Sequence, residues 1–126
     1  MSKKLISSGS TFEAQAGYSR AVVENGLVHV SGTTGFDYAA MVISDDVAEQ
    51  THQAFRNIEA ALKQAGASLD DVVRVHYLLT DAAHFERLAP VFGSYFSHAR
   101  PAATATVVGL IDPRMKIEIE VTARLP

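Results

Sequence analysis

Residues 116–123 alternate charged or polar side chains with aliphatic ones, and this pattern restricts the fold more than any other stretch of the chain. A period of two places the aliphatic side chains on one face of a β-strand and the polar ones on the other. A second strand is predicted over residues 103–109, with Asp112 and Pro113 in the turn between the two. Glu118 then lies on the polar face of a closing hairpin. That hairpin is either a surface feature or one wall of an active site.

Another hairpin is predicted nearer the N-terminus. Residues 20–24 and 27–31 are short apolar-rich runs separated by Asn25 and Gly26. Asn-Gly is a strong hairpin signal, because both residues tolerate the positive φ angles that a tight two-residue turn requires. We expect residues 33–41 to form the loop that follows.

Two helices are predicted in the middle of the chain. The first begins after Ser44, Asp45 or Asp46, ends at Gly66, and carries an apolar stripe of Val47, Thr51, Ala54, Phe55, Ile58, Ala61, Leu62 and Ala65. The second follows Asp81, and its stripe consists of Phe85, Leu88, Phe92, Tyr95 and Phe96. Pro90 lacks a backbone donor, so we expect this helix to start late or to bend.

A strand is predicted between the helices, over residues 69–80. One face would hold Val73, Val75, Tyr77 and Leu79, and the other Arg74, His76 and Thr80. The element order then predicts a single α+β domain over residues 1–126, with one sheet and both helices on one face. The uncovered face would carry His29, Ser31, Thr104 or Ala105, Glu118, Glu120 and Thr122. Because this face is semi-polar and rich in small residues, it favours an oligomer.

Composition excludes several functional classes. The 126 residues include no cysteine, so disulfides, thiolate catalysis and cysteine-based zinc sites are excluded. The net charge is −3 without any basic cluster, which argues against nucleic-acid binding. The five histidines show no metal-binding spacing, and no metal site is expected. No apolar run would span a membrane or serve as a signal peptide, so we expect a cytoplasmic protein.

Several segments, in order along the chain, are similar to the YjgF/RidA family of reactive intermediate deaminases. They are residues 17–22 (GYSRAV), 28–32 (VHVSG), 53–58 (QAFRNI), 65–73 (AGASLDDVV), 100–102 (RPA) and 117–120 (IEIE). The resemblance implies a chorismate-mutase-like fold and a homotrimer in which three sheets form a central barrel. It also implies clefts between subunits that hydrolyse enamines or imines without a metal or organic cofactor.

The resemblance also assigns residues to that cleft. Glu118 corresponds to the glutamate that positions water, Tyr18 would orient the substrate, and Ser31 and Gly32 keep the family pattern. The arginine that binds the substrate carboxylate is replaced by Ala103, and alanine also stands at two other pocket positions, Ala105 and Ala89. Thr104 and Arg100 complete the predicted substrate-binding set. Arg100, Arg20, Arg74 and Arg114 are the candidates for a replacement cation.

Imine hydrolysis needs a group that handles the proton of a water molecule, and a carboxylate can do this. Because alanine cannot bind a carboxylate, we expect a small-molecule hydrolase or deaminase that does not act on simple 2-imino acids. The alternative is a non-catalytic ligand-binding or chaperone-like member of the family. An endoribonuclease or translation inhibitor is less favoured, since the chain lacks a basic patch and a suitable histidine pair.

Overall fold

The chain forms a six-stranded mixed sheet in a computed structural model that describes residues 2–126. The strands are Lys4–Ile6 (β1), Ala21–Glu24 (β2), Leu27–Thr34 (β3), Val72–Leu79 (β6), Ala102–Val107 (β7) and Ile117–Arg124 (β8), while Phe36–Asp37 (β4) pairs with Val42–Ile43 (β5) as a separate ribbon. The order across the sheet is β1-β2-β3-β8-β6-β7. In the described part of the chain, β6 and β7 are the only neighbouring strands that are parallel to each other. Met1, with which the predicted domain begins, lies outside the described residues.

The helices are Thr11–Ala16 (α1), Val47–Ala65 (α2) and Ala83–Tyr95 (α3), with a single 3-10 turn at Leu69–Asp71. The limits predicted for α2 are confirmed. The Asp46 carboxylate accepts a hydrogen bond from the Glu49 backbone N–H at 2.9 Å, and Gly66 ends the helix in the left-handed conformation with φ 86°. These contacts satisfy backbone groups that have no partner within the helix.

One face of the sheet packs against α2 and α3, as predicted. The aliphatic residues of β8, Ile117, Ile119 and Val121, are at most 2% exposed and join the apolar stripe of α2 in one core. The ring of Tyr77 on β6 stacks on Phe92 of α3 with centroids 3.8 Å apart. The α+β class and the mixed sheet with both long helices on one face are therefore confirmed.

The two closing strands do not form a hairpin, which corrects the prediction. β6 lies between them, parallel to β7 and antiparallel to β8. Ala103 pairs with Val75 of β6, whereas Glu118 pairs with Leu78 of β6 and with Thr34 of β3. The nine residues between β7 and β8 are long enough to cross over β6. Local alternation cannot reveal such an inserted strand.

A bulge in β6 corrects the predicted face assignment of that strand. Val72 pairs with Ala123 and Arg74 pairs with Thr122, so Val73 is an extra residue of β6 that has no partner on β8. Val73 is consequently 48% exposed, and Val72 takes its place in the core at 2%. A bulge of this kind shifts the alternation of side chains by one residue.

The sequence patterns missed the N-terminal elements β1 and α1 and the ribbon of β4 and β5, which occupies most of the predicted loop. Ser10 caps α1 by accepting from the Phe12 backbone N–H at 3.1 Å. The late start predicted for α3 is not observed, because the helix begins at Ala83 and contains Pro90. Pro90 and Glu86 are both exposed, so water can satisfy the carbonyl that proline leaves unpaired.

Neither α2 nor α3 covers the opposite face of the sheet, which is bare among residues 2–126 except where α1 and the loops wall a cleft around Glu118. It carries most of the semi-polar residues predicted for it, His29, Thr104, Glu118, Glu120 and Thr122, together with Arg74, His76 and Leu78. Ser31, also predicted for this face, has no paired residue on β8. The carboxylate of Glu120 lies 3.2 Å from Nδ1 of His76, whose Nε2 lies 3.0 Å from the hydroxyl of Thr106. We call this surface the open face.

Candidate active site

A bulge in β3 brings Glu118 and Gly32 together. Val30 pairs with Val121 and Thr33 with Ile119, so β3 contains one more residue than β8 between these pairs. A Cβ atom on Gly32 would overlap the Glu118 carboxylate, with the carboxylate carbon only 2.8 Å away. Only glycine leaves room for the carboxylate at this point. Bulges of this type are frequent beside active sites, where they redirect side chains.

The Glu118 carboxylate is partly withdrawn from water and makes no hydrogen bond to any of the residues 2–126. Burial raises the pKa of Glu118 above the ordinary carboxyl value of 4.5, and the charge of Glu120 raises it further. The guanidinium of Arg20 opposes both effects. A carboxyl group of this kind suits proton transfer near neutral pH, because it accepts a proton more readily than an exposed one.

Glu118 opens into a cleft of about 360 Å³ that we call the Glu118 cleft. Tyr18, from the turn after α1, and Tyr38, from the loop between β4 and β5, form part of its wall. Burial raises the pKa of the Tyr18 hydroxyl, although the charge of Arg20 lowers it. The full lining comprises Phe12, Gln15, Ala16, Tyr18, Gly32, Thr34, Tyr38, Ile111, Asp112, Pro113, Met115 and Glu118.

Ser31 is not among the residues that line the Glu118 cleft. Its hydroxyl donates to the Ser19 carbonyl at 2.6 Å, and its backbone N–H donates to the Arg20 carbonyl at 2.9 Å. Ser31 therefore attaches the segment that carries Tyr18 to the bulged part of β3. Its predicted contact with substrate stays a prediction.

A separate cleft of about 330 Å³ lies between α3 and β7, and we call it the β7 cleft. It contains Ala103, Thr104, Ala105 and Arg100 of the predicted site residues, together with Ala89. The remaining lining is Val75, Tyr77, Phe85, Phe92, Gly93, Phe96, Ser97 and Pro101. Most of this surface is aliphatic or aromatic, so the cleft suits an apolar group rather than a carboxylate.

Arg100 stands at the β7 cleft in an unusual backbone conformation. Its φ angle is 48°, which is uncommon for a residue other than glycine, and it directly precedes Pro101. Thr104 is also fixed, because its hydroxyl accepts a hydrogen bond from Nη2 of Arg74 at 2.6 Å. Of the four arginines considered as replacement cations, Arg100 alone lines this cleft, while Arg20 lies buried behind the Glu118 cleft.

The predicted site residues thus form two groups within one chain. Tyr18, Gly32 and Glu118 share one cleft, while Arg100 and residues 103–105 share the other, and the two linings have no residue in common. β6 separates β7 from β8, so Ala103 does not face Glu118 across the sheet. This separation is the main correction to the site expected from a closing hairpin.

Nine residues that line the Glu118 cleft were not predicted as site residues, among them Phe12, Thr34 and Tyr38. Phe12 had a usable signal, because Ser10 and Glu13 stand at the spacing typical of a helix N-terminus and Gly17 at its end. Thr34 and Tyr38 had none. Thr34 donates its backbone N–H to the Tyr38 hydroxyl at 2.9 Å, a contact that depends on the position of the ribbon formed by β4 and β5.

Over residues 2–126, no group of three or more histidine, aspartate or glutamate side chains is arranged to hold a metal ion. In the same part of the chain, none of the helices combines the length and apolar character needed to cross a bilayer.

Comparison with known proteins gives consistent matches over nearly the whole chain. The sequence model of the family described as Endoribonuclease L-PSP matches residues 8–125. The chain is 34% identical over 122 residues to the 2-iminobutanoate/2-iminopropanoate deaminase of Bos taurus, covering 96% of this chain and 89% of that protein. It is 32% identical over 124 residues to a RutC family protein of Pyrococcus abyssi, with 98% of each covered. A solved structure from Mycobacterium tuberculosis, described as a member of the YjgF/YER057c/UK114 family, has a TM-score of 0.89 and 43% identity, covering 98% of this chain and 100% of that one.

Proposed function

The chain belongs to the YjgF/RidA family, and we propose that it hydrolyses an enamine or imine small molecule in clefts shared between the subunits of a homotrimer. Related proteins include an imine deaminase. The observation that carries the proposal is the Glu118 carboxylate, which lies over Gly32 in an open cleft and has a raised pKa and no hydrogen-bond partner in residues 2–126. An unpaired, partly buried carboxylate is costly unless a water molecule or ligand binds it.

In the proposed reaction, the ionised Glu118 accepts a proton from water while the water oxygen bonds to the imine carbon. The electron pair of the C=N bond moves to nitrogen. Glu118 then returns the proton to that nitrogen, which gives a carbinolamine. Glu118 next takes the remaining hydroxyl proton from the added oxygen and passes it to the same nitrogen while the carbon–nitrogen bond breaks, so that the oxygen becomes the carbonyl of the product and ammonia leaves. The Tyr18 hydroxyl, whose ring lines the same cleft, would orient the substrate.

The trimer is part of the proposal, because neither cleft contains the whole predicted site. β7 is an edge strand of alanine, threonine and valine without a charge, and Val107 on it is 56% exposed. Unpaired, uncharged edges of this kind are usually covered by another element or another subunit. We propose that the β7 cleft of one subunit meets the Glu118 cleft of its neighbour.

The substrate of the proposed reaction is larger and more apolar than a simple 2-imino acid. Support comes from the alanines at positions 89, 103 and 105 and from the aromatic rings that line the β7 cleft. An arginine–carboxylate hydrogen bond contributes about 1.5–3 kcal/mol, and Ala103 cannot supply it. Arg100, at the edge of the same cleft, could contact a polar substituent of a longer substrate.

The test is ammonia release from a panel of freshly generated imines, from 2-iminopropanoate to aryl and branched imines without a carboxylate. We expect turnover of the apolar members and little of the simple 2-imino acids. Glu118→Gln should reduce turnover at least a hundredfold, since loss of a general base typically costs about 10²–10⁴ in rate. Tyr95→Phe, which changes a tyrosine outside both clefts, is the control. Unchanged turnover in Glu118→Gln would remove this residue from the mechanism.

The second candidate function is ligand binding without catalysis. The replacement of polar groups by alanine in the β7 cleft favours it, because such a cleft can bind an apolar molecule without reacting with it. A ligand that raises the melting temperature and is recovered unchanged after incubation would support binding alone. Chemical conversion of that ligand would support the hydrolase.

A further inference from the structure

Arg20 is a buried cation without a carboxylate partner. It is 1% exposed, and no carboxylate oxygen of residues 2–126 lies within 4.0 Å of its guanidinium nitrogens. Two of those nitrogens, Nε and Nη2, are fully enclosed and have no hydrogen-bond partner among residues 2–126. A buried unpaired charge costs several kcal/mol, so its presence calls for an explanation.

The guanidinium lies against two aromatic residues of the Glu118 cleft, although Arg20 itself does not line that cleft. Its carbon lies 4.3 Å from the ring centroid of Tyr38 and 5.7 Å from that of Tyr18. Contacts of a cation with aromatic faces are attractive and offset part of the cost of burial. Both rings line the Glu118 cleft, so Arg20 lies directly behind the surface that a substrate would touch.

Arg20 also makes hydrogen bonds to the segment of β3 that contacts the Glu118 carboxylate. Its Nη1 donates to the Gly32 carbonyl at 2.8 Å and to the Thr33 hydroxyl at 3.1 Å. Gly32 is the residue that the Glu118 carboxylate covers, and it belongs to the bulge of β3. Fixing this bulge therefore fixes the position of the carboxylate.

The charged and titratable groups around Glu118 act in opposite directions. Glu120, on the same strand, raises the pKa of Glu118 and Arg20 lowers it, while burial has the largest effect and raises it. Tyr18, Tyr38 and Asp112 line the same cleft from other elements. Glu13 of α1 is buried near Arg20 and is hydrogen-bonded to Ser8 rather than to the arginine. Arg20 is thus the cation that opposes the cost of burying Glu118.

We propose that Arg20 is a positioning residue for Glu118, acting through the Gly32 bulge and through its buried charge. This inference rests on the hydrolase function proposed above. The arginine does not touch a substrate bound in the Glu118 cleft, because it is not part of the lining of that cleft and its free nitrogens are enclosed. It holds the carboxylate in place and favours its ionised form, which is the form that accepts a proton from water.

The experiment measures the titration of the Glu118 side-chain carboxyl by ¹³C NMR in the whole protein, which requires no substrate. In Arg20→Met the midpoint should rise by about one pH unit, the usual effect of removing a nearby opposite charge. Arg20→Lys keeps the positive charge but loses the planar guanidinium that donates to the bulge. In this variant the titration midpoint of Glu118 should stay near that of the parent, while turnover falls. Arg56→Met, an exposed arginine on α2, is the charge-matched control.

A midpoint in Arg20→Met equal to that in Arg56→Met would overturn the inference. If Arg20→Met does not fold, Arg20→Lys decides. A preserved midpoint with reduced turnover supports positioning, and unchanged turnover contradicts it. A third outcome separates this inference from the proposed function. If the titration midpoint of Glu118 rises in Arg20→Met but the parent chain turns over no imine, the coupling of Arg20 to Glu118 is supported and the proposed hydrolase is contradicted.

Discussion

Gly32 has no side chain, and this absence lets the Glu118 carboxylate take its position in the candidate site. The β3 bulge turns its Cα toward β8, and the Glu118 carboxylate occupies the space that a Cβ would fill. The φ angle of Gly32 is not in the left-handed region, so the need for glycine is one of space and not of backbone conformation. Any larger residue must displace the carboxylate or shift the bulge.

Gly32→Ala should therefore lower both stability and turnover. We expect a loss of about 1–3 kcal/mol in the free energy of unfolding, the usual cost of overpacking, measured by urea denaturation. Gly109→Ala, where an added Cβ meets nothing within 4 Å, should change stability by less than about 0.5 kcal/mol. Combining Gly32→Ala with Glu118→Ala should restore stability. If it does not, the carboxylate is not the source of the strain.

Glu118 should make the protein less stable as pH rises. Its pKa is raised in the folded state, so the native protein binds this proton more tightly than the unfolded chain does. The associated stability is fully present below the ordinary value of 4.5 and is lost as pH rises through the folded pKa. Glu118→Gln removes the titration. We expect this variant to melt at a higher temperature than the parent near pH 8, and the difference to disappear near pH 4. A difference that does not depend on pH would contradict the raised pKa.

At the scale of elements, periodicity predicted α2 and the approximate limits of β8, and the Asn25-Gly26 turn predicted the hairpin of β2 and β3, because each of these depends on neighbours in sequence. The order of strands was not predictable in this way. The insertion of β6 between β7 and β8 depends on pairing between distant segments, and no local signal marks it. The bulges at Gly32 and Val73 were missed for the same reason, since they appear only when two strands are paired.

Some residues that line the candidate site were therefore predictable from the sequence, but their arrangement was not. Glu118 and Gly32 do share a cleft. Ala103 lies in another cleft, and the contribution of Tyr38 and Thr34 depends on a short ribbon that leaves no periodic pattern.

Element β7 offers a gain-of-function test of the proposed substrate class. Ala103 is exposed on an edge strand and lines the β7 cleft, so a longer side chain can be accommodated. Ala103→Arg should raise kcat/KM for 2-iminobutanoate roughly tenfold to a hundredfold, because an arginine–carboxylate contact contributes about 1.5–3 kcal/mol. Ala103→Met, a long and unbranched but uncharged side chain, should give no such gain. Equal rates in the two variants would exclude a role for charge at this position.

At the scale of the whole molecule, the open face is the surface on which assembly of the proposed trimer depends. Thr122 lies at its middle, paired with His29 on one side and with Arg74 on the other. In the proposed trimer this face lines a closed barrel that has no unpaired strand edge. An added cation there would stand beside Arg74 and would meet its own copies around the threefold axis.

Thr122→Arg should therefore dissociate the assembly. We expect the parent chain to sediment at about three times its mass of 13.6 kDa, and the variant as a monomer or unstable aggregate. Thr122→Val, which has the same shape without the hydroxyl, should remain a trimer. Analytical ultracentrifugation distinguishes these outcomes. A parent chain that is monomeric at all concentrations would contradict the shared cleft.

The separation of the two clefts within one chain also affects how the substrate range of such a protein can change in evolution. In the proposed trimer, the wall that handles water comes from β3 and β8 of one copy, and the wall that selects the substrate comes from β7 and α3 of the next. A substitution such as alanine for arginine at position 103 alters the second wall without changing any contact of the first. The substrate range can therefore change during evolution while the residues of β3 and β8 that are proposed to activate water stay the same.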